Sequence, residues 1–141
     1  MSSLDQEISM SSSVSAVAAA PSPVAEAHFA AEFTFETDCW DVHDALSKIA
    51  DFVLLDVRSP ALFAKGHIKG AINLPHGKIV ESRMNEWSKD TLFVTYCAGP
   101  HCNGAARGAL RLAKLGRPVK IMAGGVTGWL DEGFTLESSD L

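Results

Sequence analysis

Two cysteines within one short stretch are the residues of this sequence with the most specific chemistry. Cys97 directly follows the apolar run 91–96, and the Gly- and Pro-containing stretch 98–104 separates it from a segment with helical periodicity. In such an arrangement the backbone N–H groups of the loop and the positive end of the helix dipole meet at the thiol, which lowers its pKa. We therefore predict thiolate chemistry at Cys97, and we prefer this interpretation to that of a buried structural cysteine.

The strands that must position this loop follow from the hydrophobic pattern. Continuous apolar runs bounded by turn residues are typical of strands covered on both faces of a parallel sheet. The predicted strands are 52–57, 71–74, 91–96 and 119–122, with a shorter alternating segment at 33–35. Asp56 and Cys97 fall at the carboxyl ends of two of these strands, which is the edge of a parallel sheet where ligands bind.

Helices are predicted between these strands. Asp38 is a candidate N-cap, and Gly116 and Gly133 are typical of positions just after a helix end. The apolar stripe of the helix that Asp38 begins consists of Val42, Ala45, Leu46 and Ile49. The other predicted helices are 105–115, 126–132 and one after 71–74 that is marked by Val80, Met84 and Trp87. This alternation predicts an α/β domain with a parallel sheet and helices on both faces.

Composition and charge limit the function. Residues 1–47 hold eight acids and neither Lys nor Arg, whereas residues 48–141 hold all 12 basic residues and nine acids and so carry a charge of +3. The total of −5 argues against a nucleic-acid partner. Three cysteines are too few for a disulfide scaffold, and no apolar run reaches the roughly 20 residues that cross a bilayer. We expect a cytoplasmic protein that binds no membrane.

The N-terminal part of the chain differs in composition from the rest. Residues 1–21 are rich in Ser and Ala and lack apolar periodicity, so we predict a disordered tail. Residues 22–35 form an N-terminal extension, in which Ser22 and Pro23 are a candidate N-cap and first helical residue. A short helix over 24–31 is predicted there.

Four segments of the chain resemble the successive signatures of the rhodanese-like domain family. They are 54–60 (LLDVRSP), 66–75 (GHIKGAINLP), 96–97 (YC) and 124–129 (GGVTGW). The resemblance covers about residues 36–137, and it implies a single-domain member with a three-layer α/β fold and a central, mainly parallel five-stranded sheet. It also implies a sulfurtransferase, in which a cysteine takes up a sulfane sulfur, becomes a persulfide and passes the sulfur on.

The resemblance also assigns roles to residues. Cys97 matches the nucleophile, and Asp56 and Arg58 match an Asp-x-Arg pair at the mouth of the pocket. The implied substrate cradle is the loop Ala98, Gly99, Pro100, His101, Cys102, Asn103 and Gly104. The implied partners are a small anionic sulfur donor, such as thiosulfate, and a thiol or cyanide acceptor. Neither a metal ion nor an organic cofactor is implied.

The loop departs from the family pattern at the position that holds the anionic donor. Typical single-domain members have an arginine five positions after the cysteine, whereas this chain has Cys102 there and its first arginine after the loop is Arg107. Loop amides, His101 or Arg58 would have to replace that arginine. We therefore expect thiosulfate to be a weak donor.

Cys102 has more than one interpretation. It is either a resolving thiol, which forms a disulfide with Cys97 or accepts its persulfide, or a small loop residue. A role as the nucleophile is less favoured, because Arg107, five positions later, would then lie inside a helix instead of closing a loop. A closed zinc site built on Cys97, His101 and Cys102 is not expected, because no second Cys/His pair has the spacing of a zinc finger.

Two functions of different classes remain. The first is a sulfurtransferase that forms a persulfide at Cys97. The second is a non-catalytic module of the same fold that senses oxidants through Cys97 and Cys102 or binds a protein partner. A phosphatase or arsenate reductase is disfavoured, because it would need an arginine six positions after the cysteine, where this chain has Asn103.

Overall fold

The computed structural model describes residues 11–139, which divide into two units, one ending at Glu32 and the other beginning at Phe33. Part of the predicted disordered tail, residues 1–10, lies outside the described residues. Residues 11–21 are exposed and form neither helix nor strand. Within residues 11–139, none of the helices is long and apolar enough to cross a membrane.

The first helix is longer than the sequence predicted. Helix α1 spans Ser22–Phe35, and each of its residues, all of them described, is at least partly exposed. The segment 33–35, predicted as a strand, is therefore the last turn of α1. Alternation over three residues is too short to decide between strand and helix, and the preceding Ala-Ala-Glu of 30–32 favours continuing the helix.

Five parallel strands form the central sheet, in the order β1-β5-β4-β2-β3. The strands are β1 (Glu36–Asp38), β2 (Val53–Asp56), β3 (Ile72–Asn73), β4 (Phe93–Tyr96) and β5 (Val119–Ala123). Every residue of β4, the middle strand, is buried, as expected for a strand covered on both faces. The predicted five-stranded α/β fold is confirmed, and all neighbouring strands are parallel.

Helices cover both faces of this sheet. They are α2 (Cys39–Ser47), α3 (Pro60–Lys65), α4 (Glu81–Met84), α5 (Gly104–Lys114) and α6 (Gly125–Asp131), with a short 3-10 turn at His76–Lys78. Leu112 of α5 and Met84 of α4 belong to one hydrophobic core together with Leu55 and Phe93. Val42 of α2 and Trp129 of α6 belong to the second core.

Two predicted helices are shorter than their apolar patterns indicated. Ile49, predicted to be buried, is 73% exposed because α2 ends at Ser47 and the chain turns there to enter β2. The helix before β4 ends at Met84, so Trp87 lies outside it. The buried guanidinium of Arg117 fixes the segment that follows, because it donates hydrogen bonds to the carbonyls of Met84, Trp87 and Ser88.

The predicted cap of α2 gives a first test of this fold. The carboxylate of Asp38 accepts a hydrogen bond of 2.8 Å from the backbone N–H of Asp41. We expect Asp38→Ala to lower the free energy of unfolding by about 1 kcal/mol in urea denaturation, because a helix N–H loses its partner. The control is Asp44→Ala, which removes only an exposed ion pair with Lys48 and should cost about 0.3–0.5 kcal/mol. Equal losses in the two variants would contradict the role of the cap.

Candidate active site

Strand β4 brings Cys97 to the carboxyl edge of the sheet, directly below the first turn of α5. The Cys97 side chain packs with Leu55 and Val57 in the first core and is only 6% exposed. The hydroxyl of Thr95 donates a hydrogen bond of 3.0 Å to the carbonyl of Ala105, which holds the start of α5 against β4. The position predicted for Cys97, between a strand end and a helix start, is therefore the position observed.

Helix α6 anchors the beginning of the loop. The N–H groups of Val126 and Thr127 donate to the carbonyls of Cys97 and Ala98 at 3.0 and 2.9 Å, and the Thr127 hydroxyl also donates to Ala98. Gly125 has a φ of 58°, and a Cβ atom there would lie 2.5 Å from the carbonyl oxygen of Cys97. The approach of α6 to the loop therefore requires glycine at this position. The segment 124–129 is part of the family resemblance, but neither Gly125 nor Thr127 was predicted to hold the loop.

Cys97 and Cys102 are joined as a disulfide. Their Cα atoms are 6.4 Å apart, within the range of roughly 4.4–6.8 Å that a disulfide needs. A tight turn brings Cys102 back over Cys97, closed by a hydrogen bond of 3.1 Å from the N–H of Cys102 to the carbonyl of Gly99. A Cβ atom on Gly104 would lie 2.8 Å from the Cys97 sulfur, so glycine at this position leaves room for both sulfurs.

Two cavities adjoin the loop. The inner cavity, of about 270 Å³, lies between the loop, the start of α5, the first residue of β1 and the end of β5. Its lining is Glu36, Cys97, Gly99, Pro100, Cys102, Ala105, Ala106, Ile121, Met122, Ala123, Gly124 and Gly125. The outer cavity, of about 490 Å³, is lined by Ala98, Gly99, Pro100, His101, Cys102 and Thr127. Both cysteines of the disulfide thus line the inner cavity, and Cys102 also lines the outer one.

The polar residues of the loop lie on its exposed side. His101 lines the outer cavity, whereas Asn103 accepts a hydrogen bond of 3.1 Å from the guanidinium of Arg107. Arg107 is exposed and lies on α5, so it does not close the loop as an arginine at position 102 would. Among the described residues that line the inner cavity, there is neither Lys nor Arg.

Asp56 and Arg58 form a buried ion pair on the opposite face of the sheet from Cys97. Asp56 lies beside Tyr96 in the sheet register, and since side chains alternate along a strand, Asp56 and Tyr96 face away from Cys97. The guanidinium of Arg58 contacts the Asp56 carboxylate at 2.6 Å and also donates to the carbonyl of Gly66. Neither residue lines the inner or the outer cavity. The structure therefore gives this pair a structural position and does not bring it to the predicted pocket mouth.

Burial and charge shift the pKa values of Arg58 and Tyr96. Burial alone would lower the pKa of Arg58, but the hydrogen bonds and negative charge of Asp56, with a smaller contribution from Tyr96, together outweigh burial and raise that pKa above its ordinary value. Burial, reinforced by the charge of Asp56, raises the pKa of Tyr96 far above its ordinary range. The Tyr96 phenol therefore stays neutral, and its oxygen accepts a hydrogen bond from the N–H of Ile68.

Cys39 is the third cysteine and belongs to the second core. Of the three cysteines, all within the described residues, Cys39 is the free thiol, and it is buried beside the carbonyl of Ala123. Burial, followed by the charges of Asp38 and Glu132, raises the pKa of Cys39 to about 11. A thiol with this pKa stays protonated at neutral pH, so it is neither a nucleophile nor an easily oxidised group.

A third cavity, of about 670 Å³, lies beside α2 and the start of β2. His43, Phe52 and Trp129 are among its lining residues, and the described lining contains neither a cysteine nor a carboxylate. The ring of His43 stacks on Phe134 with centroids 3.8 Å apart. The three cysteines therefore lie outside the lining of this cavity.

The sequence model of one protein family, the rhodanese-like domain, matches residues 41–132 of this chain, which include both cysteines of the loop. This chain belongs to the rhodanese-like domain family. The family predicted from the four sequence segments is thereby confirmed.

Relatives of this rhodanese-like domain differ in length and in name. The chain is 35% identical over 97 residues to the HTH-type transcriptional regulator Rv0324 of Mycobacterium tuberculosis, a match that covers 64% of this chain and 42% of the regulator. It is 31% identical over 101 residues to a sulfurtransferase of Allochromatium vinosum, which covers 72% of this chain and 92% of that protein. The chain thus spans less than half of the regulator and nearly all of the sulfurtransferase.

A solved structure agrees with the fold of this rhodanese-like domain. The BH2092 protein of Bacillus halodurans superimposes with a TM-score of 0.81 at 33% identity, covering 84% of this chain and 88% of that one. The BH2092 protein therefore shares the five-stranded sheet and the surrounding helices of this chain.

The Asp56–Arg58 pair provides a test that separates structure from substrate binding. Because Asp56→Ala leaves a buried guanidinium without its carboxylate, we expect the free energy of unfolding to fall by about 3–5 kcal/mol in urea denaturation. The double variant Asp56→Leu with Arg58→Met should regain much of the loss, because both charges are removed. Glu86→Ala, which breaks an exposed pair with Arg83, is the control and should cost less than about 1 kcal/mol. Nearly unchanged stability of Asp56→Ala, with weakened binding of a sulfur donor, would instead assign the pair to the substrate.

Proposed function

We propose that this chain is a sulfurtransferase in which Cys97 carries the transferred sulfur as a persulfide. The observation that carries the proposal is the position of Cys97 at the end of β4, beneath the first turn of α5 and open to the inner cavity. The family membership and the sulfurtransferase of Allochromatium vinosum among the relatives support the same chemistry.

The first step requires the reduced loop. The Cys97 thiolate attacks the sulfane sulfur of a small donor, the S–S bond of the donor breaks, and the rest of the donor leaves with the bonding electrons. With thiosulfate the leaving group is sulfite. In the second step, a thiol or cyanide attacks the outer sulfur of the persulfide, and Cys97 leaves again as a thiolate. Each step breaks one S–S bond and forms one new bond, which is S–S with a thiol acceptor and S–C with cyanide, so neither a metal nor an organic cofactor takes part.

The loop and α5 supply the stabilisation that the persulfide needs. The first N–H groups of a helix have no partner inside the helix, and in α5 these groups belong to residues such as Ala105 and Ala106, which line the inner cavity. Fixed N–H dipoles of this kind stabilise negative charge that develops on a nearby sulfur. The hydrogen bonds from Val126 and Thr127 hold the loop, so its dipoles do not have to reorganise during the reaction.

The charge around the inner cavity favours donors other than thiosulfate. Its described lining contains the carboxylate of Glu36 and no basic side chain, and Arg58 is bound to Asp56 on the other face. A dianion therefore meets one negative charge and no cation there. A persulfide on a small thiol carries less charge beside its sulfane sulfur, and we propose this class as the better donor.

A redox-sensing module is the second candidate, and the disulfide between Cys97 and Cys102 favours it. Such a module would use the two thiols without carrying a sulfane sulfur. The two candidates therefore differ in whether the reduced protein gains a sulfur atom.

Intact-mass spectrometry tests the proposed function directly. We expect the reduced Cys102→Ser variant, which lacks the second thiol of the loop, to gain one sulfur atom at Cys97 from glutathione persulfide, because the thiolate lies at the start of α5 with room beside it. Adding Cys97→Ser to this variant should abolish the gain, whereas adding the control Cys39→Ser should retain it. A sulfur atom on Cys102 in the single Cys97→Ser variant would identify Cys102 as the nucleophile, and no gain by Cys102→Ser from any donor would favour redox sensing.

The missing loop cation gives a second test of the mechanism. We expect Cys102→Arg to raise kcat/KM for thiosulfate by about 10- to 100-fold, since a hydrogen bond to a charged group contributes about 1.5–3 kcal/mol. Cys102→Ser is the matched control, because it removes the thiol without adding a cation and should leave thiosulfate use weak. Saturable, high-affinity use of thiosulfate by the unaltered chain would show that the loop amides alone hold the donor.

A further inference from the structure

We propose that Cys102 is a second catalytic residue, which attacks the Cys97 persulfide, expels its outer sulfur as hydrosulfide and closes the Cys97–Cys102 disulfide. This inference rests on the proposed persulfide at Cys97. It makes the reaction product sulfide, and it makes the final acceptor a thiol or dithiol reductant.

The disulfide itself shows that the folded loop brings the two sulfurs together. Cys102 can therefore reach the Cys97 sulfur without unfolding of the domain. Gly104 keeps the approach open, since a Cβ atom there would lie 2.8 Å from the Cys97 sulfur and 3.4 Å from the Cys102 sulfur. The persulfide and the attacking thiol thus share one pocket at the start of α5.

The turn before Cys102 already restricts the backbone of the loop, so less conformational entropy is lost when the Cys102 sulfur attacks Cys97. The Cys102 N–H bonds to the carbonyl of Gly99, and Pro100 occupies the second position of this four-residue turn. Proline fixes its own φ near the value that this turn position requires. Cys102 is therefore directed toward Cys97 in advance, which is expected of a reacting group and is unnecessary for a surface residue.

The electrostatic setting of Cys102 favours its thiolate. The N–H of Gly104 donates to the Cys102 sulfur at 3.4 Å, and α5, which has 11 residues, begins at Gly104. Both the hydrogen bond and the positive end of the helix dipole stabilise a negative sulfur. Cys39 also lies at a helix start, but burial and the charges of Asp38 and Glu132 raise its pKa to about 11, and it lies in the other core.

The step balances without an external oxidant. The Cys102 thiolate forms a bond to Sγ of Cys97, the bond between Sγ and the outer sulfur breaks, and the outer sulfur leaves with the electron pair. That sulfur takes up a proton and departs as hydrosulfide. The sulfane sulfur is reduced by two electrons, and the two cysteine sulfurs are together oxidised by two electrons to the disulfide.

Exposure decides which sulfur a reductant attacks afterwards. Cys97 is 6% exposed, whereas Cys102 is exposed and also lines the outer cavity. A thiol or dithiol therefore forms its mixed disulfide with Cys102, and Cys97 leaves as the thiolate that α5 stabilises. A second thiol then releases Cys102, which restores the reduced loop for another sulfur donor.

A single-turnover experiment tests the role of Cys102. The full chain and Cys102→Ser are reduced, freed of reductant, and exposed to thiosulfate or glutathione persulfide, and the donor is then removed by rapid desalting. We expect the unaltered chain to release one equivalent of sulfide and to end as the Cys97–Cys102 disulfide. Cys102→Ser should keep its persulfide and release no sulfide, while Cys39→Ser should behave as the unaltered chain does.

A second variant separates the turn from the thiol. Pro100→Ala keeps both cysteines and loosens the turn, so we expect the rate of sulfide release relative to the rate of loading to fall by about two- to fivefold. A persulfide that persists in the unaltered chain as it does in Cys102→Ser would overturn the inference while leaving the proposed function intact. If Cys102→Ser gains no sulfur from either donor, the proposed function fails, and this inference fails with it.

Discussion

The site depends on the close contact between Gly125 and the backbone of Cys97. This contact lets the first N–H groups of α6 reach the carbonyls of Cys97 and Ala98, so that the loop is held at its start by a second helix. Because the start of the loop is held, a tight turn brings Cys102 back to Cys97 before α5 begins. A side chain at position 125 would push α6 away from the loop. The loop would then no longer hold the sulfurs of Cys97 and Cys102 in a fixed position.

The alternation of side chains along the strands separates stability from chemistry. Asp56 and Tyr96 face one side of the sheet, and Cys97 faces the other, although all three lie at the same carboxyl edge. The buried Asp56–Arg58 pair ties β2 to the carbonyl of Gly66 before β3, so a side chain that resembles a substrate-binding cation instead organises the fold. The inner cavity is consequently left without a basic side chain among its described residues, and we propose that this deficit determines which donors it suits.

Much of the fold could be predicted from local pattern, because buried strands and capped helices have strong local signals. The strand before Cys97, the cap at Asp38 and the glycines after α5 and α6 were found in this way. The position of Arg58 was not, because the face that a residue occupies depends on the register between β2 and β4, which no single segment encodes. The end of α2 before Ile49 and the extension of α1 to Phe35 were missed because helix ends depend on where the chain must go next.

In the proposed reaction, cysteine in place of arginine at position 102 changes which half of the reaction the loop assists. An arginine there would hold an anionic donor before the sulfur moves, and it would contribute nothing to removing the sulfur from Cys97. A thiol at the same position would give no help in binding an anion, but it would lie against the proposed persulfide and compete with any external acceptor at an effective concentration that a dissolved thiol does not reach. Since one side chain cannot do both, the proposed weak recognition of thiosulfate and the proposed internal release of the sulfur follow from the same residue of the loop.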